Sequence, residues 1–165
     1  MRNFHKDASG MIAFKLSITF AFVLLFSLPP LSAQTNDQAA MEVIAITKAQ
    51  WAAQMEKKPA SVWMSTVADE YTEFNPEAPV RLDGKALNGR LSDAMASGSG
   101  EFLAAEMLNE KVQVYGDVAI LTYNYVGMLK NDEGEVETVL AKSTRVYAKK
   151  MGKWMLVHAN FAPAK

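Results

Sequence analysis

EFLAAEMLNEKVQVYGDVAILTYNYVGMLKNDEGEVETVLAKSTRVYAKKMGKWMLVHANF, residues 101–161, is the stretch that decides the fold. Apolar and polar side chains alternate along most of it, the period of a half-buried strand. Gly116-Asp117, Asn131-Asp132-Glu133-Gly134 and the turn around Met151-Gly152 interrupt the alternation three times. Short Gly, Asn and Asp turns between strands join hairpins, so the stretch predicts an antiparallel meander of four strands, 101–115, 118–130, 135–149 and 153–161.

Upstream the period is helical. From 39 to 57, Ala40, Ile44, Trp51 and Met55 fall on one face, with Met41 and Thr47 beside them and Glu42 and Glu56 opposite. Asp37 is the expected N-cap, and Pro59 marks the end because the residue before a proline resists the helical conformation. Ser61 is expected to cap a short helix bearing Val62, Trp63 and Val67. Residues 71–74 read as a strand stopped by Pro76, and Asp83-Gly84 opens a third helix through Leu87, Leu91 and Met95, ended by a flexible Ser97-Gly98-Ser99-Gly100 loop. Helices first and four hairpin-linked strands after them describe an α+β domain, with the helices covering one face of a curved antiparallel sheet.

The first residues belong to a different kind of segment. Residues 16–28 carry no charge, follow Lys15, Lys6 and Arg2, and run into Pro29-Pro30 and then Leu31-Ser32-Ala33. A basic lead, a short apolar core and small terminal residues predict a cleavable export signal over 1–33. The run is too short for a spanning helix, which needs roughly 20 apolar residues. Residues 34–38 are expected to form a flexible lead-in and 39–163 a single domain, working in a periplasmic or extracellular setting with no membrane contact in the mature form. Met11 is a possible alternative start.

Composition narrows the function classes. The chain has no cysteine, which excludes a disulfide framework, a thiol nucleophile and a Cys-ligated metal. Residues 1–33 hold three of the 17 basic and one of the 18 acidic side chains, leaving 14 against 17 in the rest. That mild negative balance, with its basic residues scattered, offers nothing to nucleic acid. No Ser-His-Asp order, phosphate loop or metal motif occurs, so no catalytic residue, metal or cofactor is expected.

Three segments resemble one family. Phe74-Asn75-Pro76-Glu77-Ala78 is the first, and Leu108-Asn109 through Val112, Val114 and Gly116-Asp117 the second. The third joins Thr144-Arg145-Val146-Tyr147 to Gly152-Lys153-Trp154 and Val157-His158. Together they resemble the association (hub) domain of calcium/calmodulin-dependent protein kinase II, within the nuclear transport factor 2-like superfamily that also holds ketosteroid isomerases and SnoaL-like cyclases. The resemblance implies a cone-shaped, cystatin-like roll with a pocket at its open end and a sheet surface that pairs subunits into a homo-oligomer. It does not imply kinase activity, because no kinase domain accompanies it.

Side chains two apart on a strand share a face. By that rule Trp154, Leu156, His158 and Asn160 go together, as do Ser143, Arg145 and Tyr147, and Leu121, Tyr123 and Tyr125. The resemblance implies that Arg145, His158 and Trp154 line the pocket. Asn160 stands where the family usually has a second histidine, and Tyr125 where the kinase hubs place another arginine; both departures bear on ligand preference. A guanidinium suits a carboxylate, so Arg145, with His158, Asn160, Tyr123, Tyr125 and Tyr147 as hydrogen-bonding neighbours, forms a candidate site for a small anionic ligand. Trp51 and Trp63 are candidate apolar walls, or simply core. Arg145 has the alternative of an internal pair with Glu73 or Glu106, and those same carboxylates would be the acids of the rival reading, a small isomerase, cyclase or hydrolase. Outward Ile120 and Val146 are expected to make the convex face apolar and fit for association.

Overall fold

A computed structural model describes residues 31–97, 101–131 and 133–164. Helix α1 spans Leu31–Met55, α2 spans Ala60–Trp63, and a 3-10 turn over Met64–Thr66 leads into strand β1, Val67–Phe74. Strand β2 is Leu82–Asp83 and helix α3 is Lys85–Ser97; then come β3 (Glu101–Tyr115), β4 (Val118–Lys130), β5 (Val136–Lys150) and β6 (Lys153–Pro163). The six strands form one curved sheet in the order β2-β1-β6-β5-β4-β3. Only β1 and β6 run parallel, because the helices and the meander intervene between them; every other pair is antiparallel.

The meander matches its sequence reading to within about two residues at each strand end, the usual scatter of element boundaries. Its last turn shows why: Met151 and Gly152 both adopt positive φ, 48° and 78°, the primed geometry that follows the twist of paired strands. The export-signal reading covers residues 1–33, of which 1–30 lie outside the described residues and 31–33 open α1; Gly98, Ser99 and Gly100 of the expected loop also lie outside them.

Helix α1 departs from its sequence reading in two ways. It begins at Leu31, so 34–38 is helical instead of a loose lead-in, and Asp37 lies inside the helix instead of capping it. Its buried residues are Ala39, Val43, Thr47, Gln50, Trp51 and Ala53, with Ile44 and Ile46 at the margins. Thr47 and Gln50 go inward because the sheet offers each a polar partner, which hydrophobicity alone does not reveal. Ser61 likewise sits within α2 instead of capping it; Pro59 precedes the helix, and Asp93 Oδ1 of α3 accepts from the Ala60 amide at 2.8 Å. Val67 belongs to β1 instead of α2.

Helices α1 and α2 lie over the inner face, against a core of Val43, Met64, Val67, Leu121, Tyr147, Trp154 and Leu156. Gly127 is needed for a close approach. A Cβ built there would lie 2.5 Å from Tyr125 Oη, so the Tyr125 ring rests on bare backbone two residues along its own strand. On the outer face Ile120 and Val146 are only partly buried, but Thr122, Asn124, Lys142, Thr144 and Asn160 line a polar groove of about 310 Å³ beside them. The convex face is therefore mixed, not uniformly apolar. No helix among the described residues is long and apolar enough to cross a membrane.

Candidate functional site

Arg145 is the centre of the site. It points to the inner face from β5, between Leu121 on β4 and Ala159 on β6, and is 8 % exposed. Its side chain leans along the strand toward the next cross-strand row, Tyr123–Ser143–Phe161. Nε donates to Tyr123 Oη at 2.9 Å, Nη1 donates to Gln50 Oε1 at 2.7 Å, and the guanidinium carbon lies 5.4 Å from the centre of the Phe161 ring. All of these partners are neutral. Among the described residues no carboxylate forms an ion pair with Arg145; Glu73 and Glu106, the internal partners the sequence offered, are engaged elsewhere or exposed.

The phenols form the second layer. Tyr147 is fully buried, and its hydroxyl meets Thr47 Oγ1 at 2.7 Å. Thr47 spends its one hydroxyl proton on the Val43 carbonyl, 2.9 Å away, so Tyr147 donates to Thr47. Trp51 packs edge-on against Tyr123 and Tyr125, with ring centres 5.5 and 5.3 Å away, and ties α1 to the same row. Burial pushes the Tyr147 and Tyr125 phenols above their ordinary range. Tyr71 is pushed up as well, by burial first and then by the carboxylate of Glu73, to which it donates at 2.6 Å. Burial is the largest influence on the Arg145 cation and works against it, while the Tyr123, Tyr147 and Tyr71 phenols, in their ionised forms, raise the guanidinium's pKa above its usual value. A permanent positive charge thus lies in a low-dielectric interior, ringed by neutral polar groups.

One inserted residue divides the expected site. Val146 pairs with His158 but Tyr147 pairs with Leu156, leaving Val157 as a bulge. Trp154 and Leu156 therefore face inward, while His158 and Asn160 face outward, contrary to the simple alternation that grouped all four. His158 Nδ1 lies 2.8 Å from Thr72 Oγ1, and the ring meets Phe74 edge-on at 6.0 Å. Asn160 lines the polar outer groove. Trp154 is inward but sits opposite Lys149, four residues or about 13 Å along β5 from Arg145. Trp63 packs on the core from α2. The structure thus gathers Arg145, Tyr123, Tyr125, Tyr147 and Trp51, and leaves His158, Asn160, Trp154 and Trp63 outside that cluster.

Gln50, Thr47 and Phe161 complete the cluster and were not singled out for it from the sequence. Ser143 adds a buried hydroxyl: it is 4 % exposed, directly opposite Tyr123, and its Oγ has no hydrogen-bond partner among the described residues. A groove of about 350 Å³ between α1 and β3, lined by Lys48, Trp51, Met55, Ala105, Glu106 and Met107, reaches the far side of Trp51. Glu73 shares the inner face with Arg145, in the row Glu73–Ala159–Arg145, but its oxygens accept from Tyr71 and from Asn75 Nδ2 at 3.1 Å.

Comparisons with known proteins agree with this architecture. Residues 39–164 match the family model of the calcium/calmodulin dependent protein kinase II association domain. The calcium/calmodulin-dependent kinase II hub of S. rosetta is 25% identical over 75% of this chain and 95% of that one, with a TM-score of 0.63. The hub homology domain of Chlamydomonas reinhardtii is 24% identical over 77% and 99%, with a TM-score of 0.64. A protein described as a candidate ketosteroid isomerase from Parabacteroides distasonis shares the fold at 16% identity over 74% and 86%, with a TM-score of 0.61. No curated protein matches the chain.

Proposed function

This chain belongs to the calcium/calmodulin dependent protein kinase II association domain family, and on that premise we propose that it is an exported, self-associating protein without kinase activity that binds a small carboxylate at Arg145. The observation that carries the ligand reading is the buried guanidinium whose hydrogen-bond partners are Gln50 and Tyr123, both neutral. A buried charge is normally matched by an opposite one. A single ligand carboxylate supplies the match, accepting from the Arg145 fork and from the partnerless Ser143 hydroxyl, while Phe161 and Trp51 flank its body. The groove between α1 and β3 is the proposed route of entry, since it ends against the Trp51 ring.

Two further features support the rest of the reading. The uncharged run 16–28 between Lys15 and Ala33 supports export. Strands β3, β4 and β5 extend beyond the last β6 pairing, Ala141 with Pro163, and there Phe102, Leu103, Met128, Val139 and Leu140 are exposed. An apolar sheet end of this kind fits association between subunits.

Isothermal titration of the purified protein with sodium acetate, butyrate and benzoate tests the site. Saturable binding of one carboxylate per chain is expected, weakened by about tenfold or more in Arg145→Lys, which keeps the charge but loses the fork. No saturable binding, or binding indifferent to that substitution, would overturn the reading.

A further inference from the structure

Gln50 is placed where a counter-ion to Arg145 belongs. Its side chain is 4 % exposed and held at both ends: Oε1 accepts from Arg145 Nη1 at 2.7 Å, while Nε2 donates to Thr66 Oγ1 at 2.9 Å in the 3-10 turn. The guanidinium can only donate, so it fixes the amide oxygen toward itself, and the Thr66 hydroxyl, which can donate or accept, takes the amide nitrogen. An amide oxygen takes a charge-assisted hydrogen bond but does not neutralise the charge. A glutamate differs from glutamine by one atom and would close an internal ion pair in the same space. The chain carries glutamine there instead, and the cation stays uncompensated.

We infer that Gln50 is a placeholder: its amide oxygen holds the Arg145 fork in position, and an incoming carboxylate displaces that oxygen to take the same donor. The inference rests on the reading of Arg145 as an anion site and adds the element that gates it. Displacement frees a buried amide, which keeps its bond to Thr66, so the exchange costs one hydrogen bond and gains an ion pair. It also couples the ligand to α1, because Gln50 and Trp51 are neighbours on the helix and Trp51 packs against Tyr123, the other acceptor of the Arg145 fork. Ligand binding at Arg145 is thereby read out as a small movement of α1 relative to the sheet.

The test compares wild type with Gln50→Leu and Gln50→Glu by titration with sodium butyrate, with melting temperatures recorded for all three. Removing the competitor in Gln50→Leu is expected to tighten butyrate binding by about tenfold, since the donor no longer has to be vacated. Gln50→Glu is expected to lose about tenfold or more while melting no lower than wild type, because the internal carboxylate pre-empts the ligand. Wild-type binding that neither substitution changes would overturn the placeholder role and leave the anion site standing, and so would weaker binding by a folded Gln50→Leu protein. Failure of both wild type and Gln50→Leu to bind butyrate would instead overturn the anion site itself, and the inference with it.

Discussion

Arg145→Met is expected to fold, to melt near the wild-type temperature, and to lose all stabilisation by added carboxylates. The guanidinium is almost fully buried and its partners are neutral. Taking such an ion out of water costs several kcal/mol, and the Coulomb attraction that would repay it requires an opposite charge. Its charge-assisted hydrogen bonds to Gln50 and Tyr123 return about 1.5–3 kcal/mol each. Methionine of similar length removes the desolvation cost, fills the space beside Phe161, and leaves the Gln50 oxygen short of one donor, a loss of about 1–3 kcal/mol. The two sides nearly cancel, so stability is set by packing while anion binding disappears. Urea unfolding with and without benzoate measures both quantities. A loss of more than about 3 kcal/mol in the absence of ligand would identify Arg145 as a structural strut, the outcome typical of breaking a satisfied buried charge.

Tyr147→Ala should have the largest effect on stability. Tyr147 is 0 % exposed and belongs to the core cluster with Leu121, Leu156 and Val43. Its hydroxyl donates to Thr47, which links β5 to α1 across 100 residues of chain. Truncation of a large buried aromatic costs about 3–5 kcal/mol, from lost transfer energy and from the cavity left behind. Tyr147→Phe separates the two contributions: it keeps the ring and should cost about 0.5–1.5 kcal/mol for the hydrogen bond alone. Denaturant melts of the two variants decide the matter. An alanine variant within about 1 kcal/mol of wild type would mean that α1 does not pack on this face as described.

How much of this was legible in the sequence depended on whether a local rule had a long-range exception. The meander was legible because two-residue periodicity and Gly, Asn and Asp turns act within a few residues, and the positive φ of Met151 and Gly152 is such a local demand. The shared inner face of Tyr123, Ser143 and Arg145 followed from the same alternation. His158 and Asn160 did not, because the bulge at Val157 shifts the pairing by one residue and turns everything beyond it to the other face. Nothing in Leu156-Val157-His158 announces that extra residue. The short β2 strand, Leu82–Asp83, was missed because two residues carry no period.

Helix α1 exposed a different limit. Thr47 and Gln50 are polar, and a hydrophobic stripe drawn by composition centres on Ile44 and Met55, sets Thr47 beside it and passes Gln50 by. Their inward placement depends on Tyr147 and Arg145, some 100 residues later, so it becomes readable only after the sheet is built. The site was therefore half visible: its cation and phenols from strand alternation, its helical half from tertiary structure alone.

Native mass spectrometry of wild type and Arg145→Met, each titrated with sodium benzoate, bears most directly on the claim that Arg145 is an anion site in a self-associating protein. A discrete wild-type oligomer that takes up one benzoate per chain, beside a variant oligomer that takes up none, is the expected result. A bare monomer, or equal benzoate uptake by the two proteins, would contradict it.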